Sequence, residues 1–150
     1  MHALAVLVAG FACAAASSGV KVLTPEEARS LLETGPERRG FTSAVAQGGG
    51  RYVPPDRGGN YGDLIYRYRE NGDVLLLREV VVIDELSPSE LEVQWYGSLK
   101  ARRISSVRVL NVGRERAFCA RIDVAGAEVA ALLRLPPGCD PRVLIEIYGF

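Results

Sequence analysis

The part of the sequence whose residue types suggest chemistry runs from 108 to 129. It begins with basic residues, Arg108, Arg114 and Arg116. An apolar stretch with a period of two follows, which predicts a strand with one buried face. Asp123 and Gly126 then end that strand in an acidic turn. The pattern predicts a site in which basic groups and an acidic turn lie at opposite ends of one strand.

The composition limits what such a site can be. The chain has 150 residues, 48% of them hydrophobic, which is enough for one packed domain, alone or with a small appendage. Its formal net charge is zero, so it lacks the overall positive field of an autonomous nucleic-acid-binding protein. Lys21 and Lys100 are the only lysines and His2 is the only histidine. Arginine-based ion pairs or phosphate contacts are therefore favoured over histidine- or lysine-dependent catalysis.

The three cysteines, Cys13, Cys119 and Cys139, do not have the spacing of a zinc site. We therefore expect no metal and no cofactor. A disulfide between Cys119 and Cys139 stays open, because it depends on whether the protein is exported or comes from a hyperthermophile.

Two interpretations of the N-terminus also stay open. Residues 3–16 have the length and the small-residue end of a signal peptide but lack a charged start, and they are too short to span a membrane. The favoured alternative is a buried helix to Ser18 with Gly19 as its C-cap. A short strand over 20–23 should follow, and Thr24-Pro25-Glu26-Glu27 then predicts a capped helix that ends near Thr34.

The clearest local signal is Asn71-Gly72, which predicts a hairpin between strands at 64–69 and 74–84. Two segments, 91–95 and 100–111, fit either a helix or a strand.

Three further strands are predicted near the C-terminus, at 117–123, 128–135 and 143–148. Pattern alone thus indicates an α+β domain.

Several motifs together resemble the archaeal tRNA-splicing endonuclease family. Arg108-Val109, followed by Arg114 and an apolar strand that ends at Asp123 and Gly126, is similar to that family's segment without a gap. Upstream, Tyr61-Gly62-Asp63 and Arg39-Gly40-Phe41 look like two of its shorter motifs.

The resemblance implies a small mixed sheet with flanking helices. Residues 1–36 would form a truncated helical N-terminal part, and residues 37–150 a nuclease-like C-terminal domain. The family's catalytic tyrosine falls near Tyr68 or Tyr66, its histidine near Val74, and its lysine at Glu115. Because a carboxylate would repel the phosphate charge that the lysine stabilises, Tyr68 and Glu115 would mark a vestigial site in a non-catalytic subunit.

The resemblance also implies partners. A catalytic endonuclease subunit would join this chain in a cytoplasmic complex of two plus two subunits that cleaves precursor tRNA, without membrane contact. The expected subunit interface comprises Asp123, Gly126, Glu128, Val129 and Leu133.

RNA contact would come from Arg108, by stacking on a bulged base, and from Arg103 and Lys100 on the same exposed surface.

The alternative is an exported, small β-rich binding module. It would begin near Ser17 after cleavage of a signal peptide and would carry the Cys119–Cys139 disulfide.

Overall fold

The computed structural model describes residues 6–11, 17–34, 42–43, 50–52, 62–83 and 86–150. These residues form eleven strands and one helix. The strands are β1 (Val6–Phe11), β2 (Ser17–Leu23), β3 (Thr42–Ser43), β4 (Gly50–Tyr52), β5 (Leu64–Tyr66), β6 (Val74–Ile83), β7 (Leu91–Ser98), β8 (Ile104–Asn111), β9 (Phe118–Ala125), β10 (Glu128–Leu135) and β11 (Arg142–Gly149). The helix is α1 (Pro25–Thr34).

The strands form two antiparallel sheets. The six-stranded sheet has the order β1-β6-β11-β8-β5-β4, and the five-stranded sheet has the order β2-β7-β10-β9-β3. One buried cluster draws on both sheets, with Val107 and Ile145 from the first and Trp95 and Leu133 from the second. The sheets therefore pack face to face, with alternate residues of each strand turned inward.

The predicted α+β fold with flanking helices is wrong, because the described residues are mostly strand and contain one helix. The predicted helical N-terminal part is wrong as well. Residues 6–11 form β1, which pairs with β6, and residues 17–23 form β2, which pairs with β7. A short apolar run fits a buried strand as well as a buried helix, so periodicity could not separate them.

The predicted boundary at residue 36 falls among residues that are not described. Strands from both sides of it share the two sheets, and the division into two regions stays a prediction.

The capped helix at residue 24 is confirmed. The Glu27 N–H donates to Thr24 Oγ1 at 3.2 Å, and the Thr24 N–H donates to Glu27 Oε2 at 2.9 Å, which is the reciprocal pattern of a capping box. Helix α1 packs through Ala28 against Leu132 on the outer face of the five-stranded sheet. At its other end, Arg121 Nη1 donates to the Leu31 carbonyl at 2.8 Å.

The turn at Asn71-Gly72 is confirmed, but the predicted hairpin is wrong. The Asp73 N–H donates to the Glu70 carbonyl, and Gly72 has a φ of 91°. However, β11 and β8 lie between β6 and β5, so the two strands are not neighbours. The turn belongs to a longer connection that crosses one end of the six-stranded sheet.

The two ambiguous segments are strands, β7 and β8. The three C-terminal strands are confirmed as β9, β10 and β11.

Cys119 and Cys139 are both free, so the structure has no disulfide between them. Among the residues that the structure describes, no helix has the length and apolar character needed to cross a membrane.

Candidate nucleic-acid interface

A row of charged residues crosses the outer face of the six-stranded sheet. In the strand register Glu146 of β11 lies opposite Arg108 of β8 on one side and opposite Arg78 of β6 on the other. The neighbours of Glu146 in sequence, Ile145 and Ile147, point into the core, so alternation turns Glu146 outward.

Glu146 is the centre of this row. Its Oε1 accepts a hydrogen bond from Arg78 Nε at 2.9 Å and forms an ion pair with Arg78 Nη2 at 2.7 Å. Its Oε2 accepts from Arg108 Nη1 and from the Tyr148 hydroxyl, each at 3.1 Å. The Glu146 side chain is only 5% exposed, whereas those of Arg78 and Arg108 are 53% and 37% exposed. The carboxylate therefore anchors two guanidinium groups that stay open to solvent.

A third arginine joins the row through Tyr148. The guanidinium carbon of Arg69 lies 4.1 Å from the centre of the Tyr148 ring, which is cation–π distance. Arg67, two residues earlier, has a φ of 54°, an uncommon conformation for a residue with a side chain. The Ser106 hydroxyl donates to the Arg67 carbonyl at 3.0 Å and thereby fixes this segment to β8.

We call Arg69, Arg78, Arg108, Glu146 and Tyr148 the arginine face. It carries three positive charges and one negative charge. The hydrogen bond and the charge of Glu146 raise the pKa of Arg78 above its usual value. The face is therefore positive at every physiological pH, although the chain as a whole is neutral.

Aromatic and basic residues continue from the arginine face. Tyr68 follows Arg67 and is 61% exposed. In the connection between β7 and β8, Arg103 pairs with Glu70 of the turn at 2.9 Å, and Lys100 and Arg102 are exposed. Exposed aromatic rings beside arginines are the components with which proteins bind single-stranded nucleic acid.

The three residues predicted to bind RNA lie at this end of the molecule. Arg108 belongs to the arginine face, and Arg103 and Lys100 lie in the β7–β8 connection next to the turn. That they bind RNA stays a prediction.

The structure does not bring the two residues of the predicted vestigial site together. Tyr68 lies at the end of the sheet where β8 begins, and Glu115 lies in the loop that follows the end of β8. The Glu115 carboxylate accepts a hydrogen bond from the Asp140 N–H there. Eight residues of β8 separate the two ends, roughly 23 Å at the rise of a strand.

The residues predicted to form a subunit interface belong to the five-stranded sheet. Asp123 lies within β9, where it is buried and accepts a hydrogen bond from Arg121 Nε at 2.8 Å. Gly126, with a φ of 60°, forms the turn, and Glu128 accepts from the Tyr96 hydroxyl at 3.0 Å.

Val129 and Leu133 are buried in the core, and their strand β10 is paired on both sides, by β7 and β9. As placed, β10 has no free edge for a second subunit, and the interface stays an untested prediction.

Sequence reasoning missed Glu146, Arg78, Tyr148 and Arg69. The sequence contains only a weak signal for these residues, which is that Glu146 is the one acidic residue in the apolar segment 143–148. A charge flanked by inward-pointing apolar residues indicates the solvent side of a strand, but it does not reveal the partners.

The described residues contain no group of three potential metal ligands. The buried thiol of Cys119 has its pKa raised to about 12 by desolvation, so it is not a nucleophile near neutral pH. Comparison with protein-family models, with curated proteins and with solved structures found no match to this chain.

Proposed function

We propose that this chain is a non-catalytic binding module whose arginine face binds single-stranded RNA. One observation carries the proposal: Glu146 holds two half-exposed guanidiniums in fixed positions, and each keeps donors that Glu146 does not use. Guanidinium groups suit phosphate oxygens because they present several N–H donors in a planar fork. Tyr68 adds an aromatic side chain that is 61% exposed next to this face.

The neutral overall charge agrees with a local mode of binding. Affinity would depend on a few phosphate contacts and fall with added salt, with a slope of about −0.7 per contact for a single strand. Assembly with a catalytic endonuclease subunit stays a prediction. It rests on short motifs, and the fold that those motifs implied is not the one observed.

The test is fluorescence anisotropy with a labelled, unstructured RNA oligomer at several salt concentrations. We expect Arg108→Gln and Arg78→Gln each to weaken binding and to make the salt slope shallower by about 0.7. The matched control is Arg29→Gln, which removes the same charge from an exposed position on α1, beside the other sheet. Equal effects of all three changes would contradict a local site.

A second candidate is the exported β-rich binding module, which the two-sheet architecture favours. In that case cleavage near Ser17 would remove β1 and leave β6 as an edge strand. Mass spectrometry of the protein from its native source tests this: a chain that begins near residue 17 supports export, and a chain that contains residues 6–11 contradicts it.

A further inference from the structure

Three exposed apolar side chains lie at one corner of the six-stranded sheet. Phe150 directly follows β11 and is 53% exposed. In the strand register Val74 of β6 lies opposite Gly149, and Leu75 lies opposite Tyr148. Val74 is 56% exposed and Leu75 is 36% exposed. We call Val74, Leu75 and Phe150 the apolar corner. Single exposed apolar residues are ordinary on a protein surface, whereas contiguous ones are typical of binding sites.

The backbone at Phe150 is anchored to the β7–β8 connection. The Phe150 carbonyl accepts hydrogen bonds from the N–H groups of Arg102 at 2.9 Å and Arg103 at 3.0 Å, and the Phe150 N–H donates to the Arg103 carbonyl at 3.1 Å. Gly149 permits this approach, because a Cβ at its position would collide with the Arg103 carbonyl. The aromatic ring is therefore presented from a fixed backbone, so a ligand that contacts it has little chain to order on binding.

Basic residues flank the Phe150 ring. The guanidinium carbon of Arg103 lies 5.8 Å from the centre of the ring, within cation–π distance. The same guanidinium pairs at 2.9 Å with Glu70, which follows Arg69 of the arginine face in the chain. Arg102 is exposed in the β7–β8 connection. Phe150 thus lies between two groups of positive charge, those of the arginine face and those of this connection.

We propose that Phe150 is a base-stacking residue of the RNA site, so that the ligand is a single strand with an unstacked base at the apolar corner. The inference rests on the proposed function, in which the arginine face holds the phosphates of the same strand. Phe150 lies four residues beyond Glu146, roughly 13 Å along β11 at the rise of a strand. At about 3.4 Å per stacked nucleotide, about four nucleotides cover that distance.

Stacking and phosphate contacts affect binding in different ways. Every base has a flat π-face that stacks on an aromatic ring, so stacking adds affinity without sequence preference. Phosphate contacts release counterions and thereby set the salt slope. In a duplex the bases are already stacked and paired, so none is available to the ring. Loss of the Phe150 ring should therefore weaken binding of a single strand while the salt slope and the binding of a duplex stay the same.

The experiment measures the anisotropy of a labelled, unstructured RNA oligomer with the full chain at several salt concentrations. We expect Phe150→Ala to weaken binding at least about fivefold, the lower end of the usual effect of base–aromatic stacking, with the same salt slope. Phe150→Tyr keeps an aromatic ring and should bind as tightly as the unaltered chain. The matched control is Leu86→Ala, which removes a side chain that is 64% exposed beyond the opposite end of β6 and should leave binding unchanged.

Two further ligands separate the base from the phosphates. An oligomer of abasic nucleotides of the same length keeps the charge but has no base to stack. The unaltered chain should bind it at least about fivefold more weakly than the RNA, and Phe150→Ala should bind it no more weakly than the unaltered chain does. A duplex of the same sequence should bind equally to the unaltered chain and to Phe150→Ala.

The outcomes distinguish the stacking assignment from the proposed function. If Arg108→Gln makes the salt slope shallower but Phe150→Ala binds the oligomer normally, the arginine face binds RNA and the stacking assignment is overturned. Equal weakening of single-strand and duplex binding by Phe150→Ala, or a shallower salt slope, also overturns it, because the ring would then act by placing the arginines. If the unaltered chain binds no RNA, the proposed function and the stacking assignment are both refuted.

Discussion

Glu146→Gln should have opposite effects on stability and on RNA binding. The amide keeps the shape of the side chain but removes the negative charge that lies between Arg78 and Arg108. The two guanidiniums would then face each other across β11 without a counterion. Stability should fall, because a buried acceptor for three side-chain donors is weakened.

The size of the stability loss follows from burial. A hydrogen bond to a charged group contributes about 1.5–3 kcal/mol, but pairs open to water contribute less than about 1 kcal/mol. Arg78 and Arg108 are half-exposed while Glu146 is buried, so a loss of about 2 kcal/mol is expected. For a chain of this length that loss lowers the melting temperature by roughly 4–8 °C.

The affinity for RNA should rise instead. Removing one negative charge about 7 Å from a bound phosphate changes the free energy of binding by roughly 0.6 kcal/mol at the dielectric constant of water. Allowing for screening by salt, this gives an approximately twofold gain in affinity.

Two measurements on one sample test this prediction: thermal unfolding, and anisotropy of a labelled RNA oligomer. Unfolding can be followed by fluorescence, because Trp95 is the only tryptophan and is fully buried in the core. Glu26→Gln removes an equal charge from an exposed position on α1 and should change neither result. An unchanged melting temperature would refute the ion-pair geometry, and an unchanged affinity would refute RNA binding at the arginine face. A weaker affinity would refute the expected gain from removing the charge and would mean that Glu146 acts mainly by holding the two arginines in place.

Three further predictions concern stability. Asn111→Ala should destabilise the chain by about 2–4 kcal/mol in urea unfolding, because it removes the side-chain acceptor of the buried Ala117 N–H and the side-chain donor to the Ala117 carbonyl; a loss below about 0.5 kcal/mol, typical of surface changes, would contradict this. Burial raises the pKa of the Cys119 thiol to about 12, against an ordinary 9.0. Between pH 9 and 12 the folded chain therefore keeps this proton while the unfolded chain loses it, so the free energy of unfolding should decrease as the pH rises. In Cys119→Ala that fall should be shallower by up to about 1.4 kcal/mol per pH unit, and identical alkaline slopes would argue against a buried thiol. Thr24→Ala should cost about 1 kcal/mol through loss of the N-cap, measured as reduced helix protection in hydrogen exchange, and unaltered protection of α1 would count against the capping box.

Signals that act over a few residues were predicted correctly. Thr24 and Glu27 are three residues apart, and the capping box that they form depends on nothing else. The turn at Asn71-Gly72 likewise forms because Gly72 accepts the positive φ of 91° that the turn requires. The Asn71-Gly72 signal did not predict how the strands on either side of the turn, β5 and β6, are paired. A turn residue fixes the direction of the chain over about four residues, whereas the position of β11 and β8 between β6 and β5 depends on contacts with residues far along the chain.

The arginine face also depends on contacts between residues far apart in the sequence, which local signals do not predict. The sequence identifies Arg108 as an exposed basic residue. Arg108 becomes part of a site only through Glu146, which lies 38 residues further along the chain and also binds Arg78, 68 residues before it. Those residues meet only because β8, β11 and β6 are adjacent and in one register; a shift of a single residue in β11 would turn Glu146 into the core and leave both arginines without an anchor. A functional site built across strands is therefore specified by sheet order, and neither the turn signals nor the strand patterns of the sequence contain that order.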